Sequence, residues 1–174
     1  MRNVEIKAKV NDFDEICKIA EELSGAPPTI IHQNDTFYKV NTGRLKLRVY
    51  ADESATLVRY DRDDEQGPKL SNYDLLEFSV NESAKIKTFD DIMKKCLGVR
   101  GNVIKERRLY MVDQTRIHID KVDGLGKFME LEVVLRPEQT LEDGQAIAKD
   151  LQMKLGVKDI DLIDCAYVDL LDKN

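Results

Sequence analysis

A chain of 174 residues can form one domain with a substantial core, and 34% charged against 42% hydrophobic residues indicates an ordered globule rather than a disordered segment. No apolar run reaches the length of a membrane span or of a signal-peptide core, so we expect an unprocessed, cytoplasmic protein without membrane association. The net charge of −6 does not exclude a polyanion, because Lys and Arg recur at every second position of the strand-like segments. Aromatic residues scattered without an exposed basic stripe argue against binding of long nucleic acid.

The first predicted strand spans residues 3–10. Side chains alternate along a strand, which places Glu5, Lys7 and Lys9 on one face and the apolar residues on the other. Apolar residues then recur at helical spacing and predict a first helix, which ends at Gly25.

A predicted hairpin follows, with arms at residues 29–40 and 44–50 around the turn sequence Asn41-Thr42-Gly43. Its second arm carries a basic face made of Arg44, Lys46 and Arg48. The next predicted strand, residues 55–62, contains Arg59 and Arg62. These two arginines have opposite parity, so only one of them can join the basic face.

The acidic segment 63–71 is predicted to be a loop and residues 74–80 a fifth strand. A second helix is predicted to begin at Thr88 as its cap and to end at Gly98. The sixth strand, residues 102–112, then places two basic side chains on one face: Lys105 and Arg107.

Two further predicted strands, residues 114–122 and 127–135, each carry a charged face. The first presents Arg116, His118 and Asp120, and the second presents Glu130 and Glu132. Two helices are predicted to close the chain, one capped by Thr140 and one running from Asp159 to Leu171. The three cysteines are expected to be buried thiols in helical segments.

The charged strand faces indicate a phosphate site that uses a metal ion. Mg²⁺ and Mn²⁺ prefer oxygen ligands and usually share them with substrate phosphates, so carboxylates beside Lys and Arg suit such a site. We expect His32 and His118 to make hydrogen bonds rather than bind metal, and Asp120 to orient an arginine.

Periodicity leaves the arrangement of the eight strands open. A flat, open sheet would expose the charged face to water, whereas a closed antiparallel barrel would enclose it in a small lumen with the apolar faces outward under the helices.

The ordered set of charged residues resembles the CYTH family, which is named for class IV adenylyl cyclase and thiamine triphosphatase and is also called the triphosphate tunnel metalloenzymes. The resemblance covers nearly the whole chain. The family's opening signature is Glu-x-Glu-x-Lys, and this chain keeps Glu5 and Lys7 but has Asn3 in the first position. The other matching residues are Lys46, Arg48, Lys105, Arg107, Arg116, Asp120, Gly124, Gly126, Glu130 and Glu132.

The resemblance implies an α+β fold over residues 1–174, with a closed eight-stranded antiparallel barrel and helices packed outside. It implies that Glu5, Glu130 and Glu132 bind Mg²⁺ or Mn²⁺ and, with Lys7, are catalytic. The implied ligands of the triphosphate are Lys7, Lys46, Arg48, Lys105, Arg107 and Arg116, together with Arg59 or Arg62.

Three functions fit these residues. The first is a triphosphatase acting on tripolyphosphate, thiamine triphosphate or a nucleoside triphosphate. The second is a class IV adenylyl cyclase, which would also need a pocket for adenine. The third is a non-catalytic triphosphate-binding protein, which Asn3 favours because an amide is a poorer metal ligand than a carboxylate. Each fits a monomer or a homodimer.

Overall fold

The structure, a computed structural model, describes residues 2–62 and 67–172, except for the side chain of Arg62. It contains eight strands and four α-helices in this part of the chain. The strands are β1 (Arg2–Lys9), β2 (Thr29–Tyr38), β3 (Arg44–Tyr50), β4 (Ala55–Arg62), β5 (Lys69–Phe78), β6 (Val99–Val112), β7 (Thr115–Val122) and β8 (Gly126–Val134). The helices are α1 (Phe13–Ser24), α2 (Ser83–Leu97), α3 (Leu141–Lys154) and α4 (Tyr167–Leu171).

The eight strands form a closed antiparallel barrel in the order β1-β5-β4-β3-β2-β6-β7-β8. The predicted hairpin of β2 and β3 is present, with Asp35 directly opposite Arg48. Strand β8 closes the barrel against β1, where Glu132 faces Glu5 and Glu130 faces Lys7. Because the sheet is closed, the open-sheet alternative is excluded, and the barrel fold that the resemblance implied is confirmed.

The apolar faces of the strands point outward and are covered by helices. Helices α1 and α3 cover β1, β7 and β8, and the core between them includes Ile6, Phe13, Leu131 and Leu151. Helix α2 covers β2 and β3 through Ile86 and its partly buried neighbours. The amphipathic strands therefore leave their charged faces inside the barrel.

Local sequence explains the helix ends. The Asp12 carboxylate accepts a hydrogen bond from the Glu15 N–H and caps α1, which ends at Gly25 with a left-handed backbone of φ 67°. At α3, Thr140 and Asp143 form a reciprocal capping box.

The segment after α3 closes one end of the barrel. Leu162 forms a bridge with Ala8, and residues Ile163, Cys165, Tyr167 and Val168 pack with barrel residues into a separate apolar cluster. Phe37, Val103, Val122 and Phe128 are the fully buried barrel members of that cluster.

Several element boundaries differ from the sequence predictions. Strand β5 begins at Lys69, inside the segment predicted to be a loop. Helix α2 begins at Ser83, so Thr88 is an interior residue whose hydroxyl donates to the Ala84 carbonyl rather than a cap. The helix predicted from Asp159 is a 3₁₀ turn, an extended stretch and the short α4, since the intervening residues bridge to the barrel.

The prediction of buried, helical cysteines was also partly wrong. Cys96 is exposed on α2, whereas Cys17 and Cys165 are buried, the latter outside any helix.

Across the two described ranges, none of the helices is both long and apolar enough to cross a membrane.

Candidate active site

The barrel encloses a cavity of about 340 Å³ that alternate residues of all eight strands line. The structure brings together in it nearly all of the residues that the sequence nominated: Glu5, Lys7, Lys46, Arg48, Lys105, Arg107, Arg116, Glu130 and Glu132. Charged side chains from distant parts of the chain therefore share one enclosed space.

One wall of the cavity carries the carboxylates of β8. Glu130 lies 2.8 Å from the ammonium of Lys7, and its other oxygen contacts the guanidinium of Arg107. Glu132 lies 3.6 Å from Arg116. His118 stands between the two carboxylates, with its Nδ1 atom 3.8 Å from Glu130 and 3.7 Å from Glu132.

Both carboxylates stay ionised at neutral pH. Burial by itself would raise the pKa of Glu130, but Lys7 and Arg107 hold that pKa well below its usual range. The pKa of Glu132 is also lowered, because His118 and Arg107 outweigh the effect of burial.

The same wall has a donor set that fits a divalent cation. One ligand atom each from His118, Glu130 and Glu132 lies within 4.8 Å of the others. The buried Nδ1 atom of His118 has no hydrogen-bond partner among the described residues, so it is available to a ligand. A set of two carboxylates and an imidazole suits Mn²⁺ better than Mg²⁺, which prefers oxygen ligands alone.

Glu5 and Asn3 lie on the neighbouring strand of this wall. Both line the cavity, but Glu5 is not part of the compact group of three donors. Asn3 is 2% exposed, and its Oδ1 atom accepts no hydrogen bond from a described residue. A neutral amide therefore occupies the position where the family signature has a carboxylate.

The opposite wall is cationic and is organised by Asp35. This carboxylate is 1% exposed and accepts two hydrogen bonds from Arg48, at 2.7 and 2.8 Å. It also accepts from Lys46 at 2.9 Å and from Lys105 at 3.1 Å. One buried anion thus holds three cations from two strands, β3 and β6.

The cationic wall has shifted pKa values. Although burial favours the neutral acid, Arg48, Lys105 and Lys46 hold the pKa of Asp35 well below its usual range. Burial lowers the pKa of Lys105 to about 7, and burial with the nearby Arg48 lowers the pKa of Lys46 to about 8. These two lysines are therefore the cations of the wall most easily deprotonated.

Arg107 and Tyr167 line the closed end of the cavity, and both bond the fully buried Asp120. Asp120 accepts hydrogen bonds from the Arg107 guanidinium at 2.8 and 2.7 Å and from the Tyr167 hydroxyl at 2.9 Å. This geometry agrees with the expected orienting role of Asp120. The ring of Tyr167 lies 4.0 Å from the Lys7 ammonium.

Of the two arginines of β4, the structure describes the position of the Arg59 side chain only. Arg59 is 44% exposed on the outer face, where it pairs with Asp61, and so it does not join the cavity residues. Thr56, Val58 and Tyr60 are the residues of β4 that line the cavity among those described. The side chain of Arg62 itself lies outside the described residues.

Sequence reasoning did not nominate Asp35, His118 or Tyr167 as residues of this site. Asp35 was recognisable, because counting back from the Asn41-Thr42-Gly43 turn places it opposite Arg48. His118 was assigned to hydrogen bonding because no second histidine or cysteine lies near it in sequence. The sequence did not indicate that Tyr167 lies in the cavity, since this residue was predicted to be in a helix whose position relative to the barrel was unknown.

Comparison with known proteins identifies the family. A model of the CYTH domain matches residues 1–167. This chain belongs to the CYTH domain family. No curated protein sequence matches the chain significantly.

Solved structures share the CYTH barrel at low sequence identity. The PH1012 protein of Pyrococcus horikoshii OT3 is 23% identical with a TM-score of 0.78, and the match covers 97% of this chain and 98% of that one. A "putative adenylate cyclase" of Vibrio parahaemolyticus is 16% identical with a TM-score of 0.75, covering 98% and 97%. A chain of the Schizosaccharomyces pombe Mediator head module is 10% identical with a TM-score of 0.62, covering 90% and 95%.

These likenesses show the fold, which by itself does not assign an activity. The function of this CYTH protein therefore has to be argued from its own cavity.

Proposed function

We propose that this protein is a Mn²⁺- or Mg²⁺-dependent triphosphatase that hydrolyses the terminal phosphoanhydride bond of a triphosphate bound inside the barrel. The single observation that carries the proposal is the enclosed cavity with cations on one wall and a carboxylate and imidazole group on the other.

The charges of the cavity match those of a triphosphate. A fully ionised triphosphate carries about four negative charges, and removing it from water requires several fixed cations. Arg48, Lys46 and Lys105 are such cations and are fixed by their ion pairs with Asp35. Lys7 and Arg107 are further cations, which lie towards the closed end of the cavity. The incoming phosphates replace carboxylates as partners of cations that are already in place.

The chemical step is a displacement at the terminal phosphorus. A water oxygen bonds to that phosphorus, the bond to the bridging oxygen breaks, and the electron pair leaves with the diphosphate. A carboxylate of the wall that carries Glu5, Glu130 and Glu132 accepts the proton of the water. Lys7 and Arg107 stabilise the charge that develops on the phosphoryl oxygens.

The cation that His118, Glu130 and Glu132 would hold supplies Lewis-acid neutralisation of phosphate charge when bound. The carboxylates also balance the lysines and arginines before substrate binds, which limits repulsion between the cations in the lumen.

Product analysis tests the proposal. The purified protein is incubated with tripolyphosphate, thiamine triphosphate or ATP, each with Mg²⁺ or Mn²⁺, and the products are identified by chromatography. We expect phosphate and the corresponding diphosphate, in a reaction that stops when a chelator removes the metal. Binding of all three compounds without turnover would overturn the hydrolase proposal and identify the protein as a non-catalytic triphosphate-binding protein.

An adenylyl cyclase is the second candidate, because the aromatic residues Tyr50, Tyr60 and Tyr73 line the cavity and give an adenine ring surfaces to contact. Cyclic AMP with pyrophosphate, instead of ADP with phosphate, would identify this reaction in the same assay.

A further inference from the structure

We propose that Tyr167 is a positioning residue for two cations of the active site, Lys7 and Arg107. Its ring fixes the Lys7 ammonium, and its hydroxyl fixes the Arg107 guanidinium through Asp120. Tyr167 begins α4, so the chain segment after the barrel supplies it. This inference rests on the proposed function and adds to it a residue from outside the barrel strands.

The ring of Tyr167 lies against the Lys7 ammonium. The nitrogen is 4.0 Å from the ring centroid, and the two residues are 4% and 5% exposed. A cation over the face of an aromatic ring is attracted to it, and the attraction is larger where water is excluded. The ammonium of Lys105 lies 5.7 Å from the same centroid, so this one ring meets cations of both walls.

Lys7 gains a fixed position from this contact. A free lysine side chain populates many rotamers, and ordering it costs conformational entropy. In the barrel the ammonium lies between the Tyr167 ring and the Glu130 carboxylate, which is 2.8 Å away. The ammonium is therefore already ordered when a polyanion binds, so that the binding free energy does not include this cost.

The hydroxyl of Tyr167 acts on the guanidinium of Arg107. It donates to Asp120, which is completely buried and which also accepts two hydrogen bonds from Arg107. A buried carboxylate that loses a donor is left partly uncompensated. Removal of the hydroxyl is therefore expected to change the geometry of the pair that Asp120 forms with Arg107.

Both contacts converge on Glu130, a carboxylate of the proposed metal site. One of its oxygens lies 2.8 Å from the Lys7 ammonium, and the other contacts Arg107. These are also the two cations that we expect to stabilise charge on the phosphoryl oxygens. Tyr167 thus acts on the reacting groups through both of them.

The segment around Tyr167 is anchored to the barrel, as a positioning residue requires. The Ile163 N–H donates to the Lys7 carbonyl at 2.8 Å, and the Asp169 carboxylate accepts a hydrogen bond from the backbone at the start of α4 at 2.7 Å. The Tyr167 ring packs against Phe128 with ring centroids 5.0 Å apart. The tyrosine is thus held by contacts before it, after it and on its ring.

A double-mutant cycle tests the ring, with calorimetric dissociation constants for tripolyphosphate on the metal-loaded protein. Tyr167→Phe keeps the ring, whereas Tyr167→Leu removes it. With Lys7 present, we expect the Leu variant to bind about tenfold more weakly than the Phe variant. In a Lys7→Met background the two should bind almost equally, because the ring then has no ammonium to hold. The same difference in both backgrounds would overturn this contact.

A second cycle tests the hydroxyl by comparing Tyr167→Phe with the wild type. We expect kcat for tripolyphosphate hydrolysis to fall about tenfold with little change in KM, because Arg107 stabilises charge that develops in the transition state. In an Asp120→Asn background the same substitution should have no further effect. An equal fall in both backgrounds would show that the hydroxyl does not act through Asp120.

Val168→Ala is the matched control for a merely structural role. Val168 follows Tyr167 and is completely buried in the apolar cluster, but it is not among the described residues that line the cavity. Its substitution should lower the melting temperature and leave the affinity and kcat at wild-type values. If it weakens binding as Tyr167→Leu does, the effect arises from the docking of α4 and the proposal is overturned.

The wild type separates this proposal from the proposed function. Binding of tripolyphosphate without turnover would overturn the hydrolase, and both cycles would then be read from dissociation constants. Turnover with additive effects in both cycles would overturn the role of Tyr167 alone. Absence of tripolyphosphate binding would overturn both.

Discussion

Asp35 has an unusual position among the charged residues of the lumen, because it balances three cations at once. Its carboxylate bonds Arg48, Lys46 and Lys105 and is almost completely buried. Removing one member of a buried ionic network leaves its partners desolvated without compensation. The carboxylate is thus expected to stabilise the ligand-free barrel as well as to position the cations.

Substitution of Asp35 by Asn should lower the free energy of unfolding by about 3–5 kcal/mol, the usual cost of breaking a buried ion pair. Tripolyphosphate should restore much of this loss, since it supplies the missing negative charge. Denaturant unfolding with and without the anion measures both effects. Asp61→Asn is the control, because Asp61 is 57% exposed and pairs with Arg59 on the outer face; a similar loss there would contradict the assignment.

Lys105 should make the affinity of the cavity for a polyanion depend on pH. Its pKa of about 7 results from burial, which Asp35 opposes and Arg48 and Arg107 reinforce. A bound polyanion favours the charged lysine, so binding above pH 7 takes up a proton and becomes weaker as the pH rises.

Isothermal titration with tripolyphosphate at pH 6.5 and 8.5, in buffers of different ionisation enthalpy, measures that proton uptake. Lys105→Met should bind more weakly at pH 6.5 and should lose part of the uptake at pH 8.5. If the variant takes up as many protons as the wild type at both pH values, another group is responsible.

The carboxylates of β8 should be required for turnover but not for folding. Glu130→Gln and Glu132→Gln are each expected to abolish metal-dependent phosphate release while leaving the circular dichroism spectrum unchanged, because the amide cannot replace a charged metal ligand. Glu106→Gln serves as the control, since this glutamate does not line the cavity. A wild-type rate in either β8 variant would count against the metal assignment.

At the scale of the secondary-structure elements, the contact between α3 and the barrel depends on a glycine. A Cβ atom at Gly144 would lie 2.6 Å from side-chain atoms of both Val4 and Leu135. A larger residue would therefore force α3 away from β1 and from Leu135, which directly follows β8.

Gly144→Ala should therefore destabilise the protein, although alanine favours helix by about 1 kcal/mol over glycine. Overpacking of this kind costs about 1–3 kcal/mol, and denaturant unfolding measures the net change. Ala146→Gly, at an exposed position of the same helix, measures the effect of helix propensity on the free energy of unfolding without any overpacking. Stabilisation by Gly144→Ala would show that the side chains of Val4 and Leu135 move away at little cost.

Strand faces were the most predictable part of these elements. The alternation in β1, β3, β6 and β8 placed Lys7, Arg48, Arg107 and Glu130 on the charged faces of their strands, because a period of two admits no third orientation. In the structure these faces line the cavity. Helix boundaries were less predictable. Thr88 has the properties of a cap, but the turn formed by Val80–Glu82 starts the helical segment earlier and places Thr88 inside α2.

At the scale of the whole molecule, closure of the barrel could not be predicted from periodicity. A charged strand face has the same pattern whether it faces water or a lumen, and the difference arises from pairing of β8 with β1, more than 100 residues apart. The extended stretch before α4 was missed for a related reason: its conformation depends on the bridge from Leu162 to Ala8.

The distribution of charge over the whole molecule predicts strong stabilisation by a small polyanion. The net charge is −6, yet the lumen gathers lysines and arginines. Tripolyphosphate at a hundred times its dissociation constant should add about 2.7 kcal/mol to the free energy of unfolding. Thermal melts with sodium chloride at matched ionic strength provide the control, and an equal rise with both salts would indicate general screening instead of a site.

The tyrosine-sealed end also dictates how products depart. Under the proposed function, the cleaved phosphate forms at this end of the cavity, beneath the remaining diphosphate, and both products leave through the opposite end. The diphosphate is consequently released first and inorganic phosphate second. Steady-state inhibition should show this sequence, with phosphate competing directly against substrate and the diphosphate giving a mixed pattern.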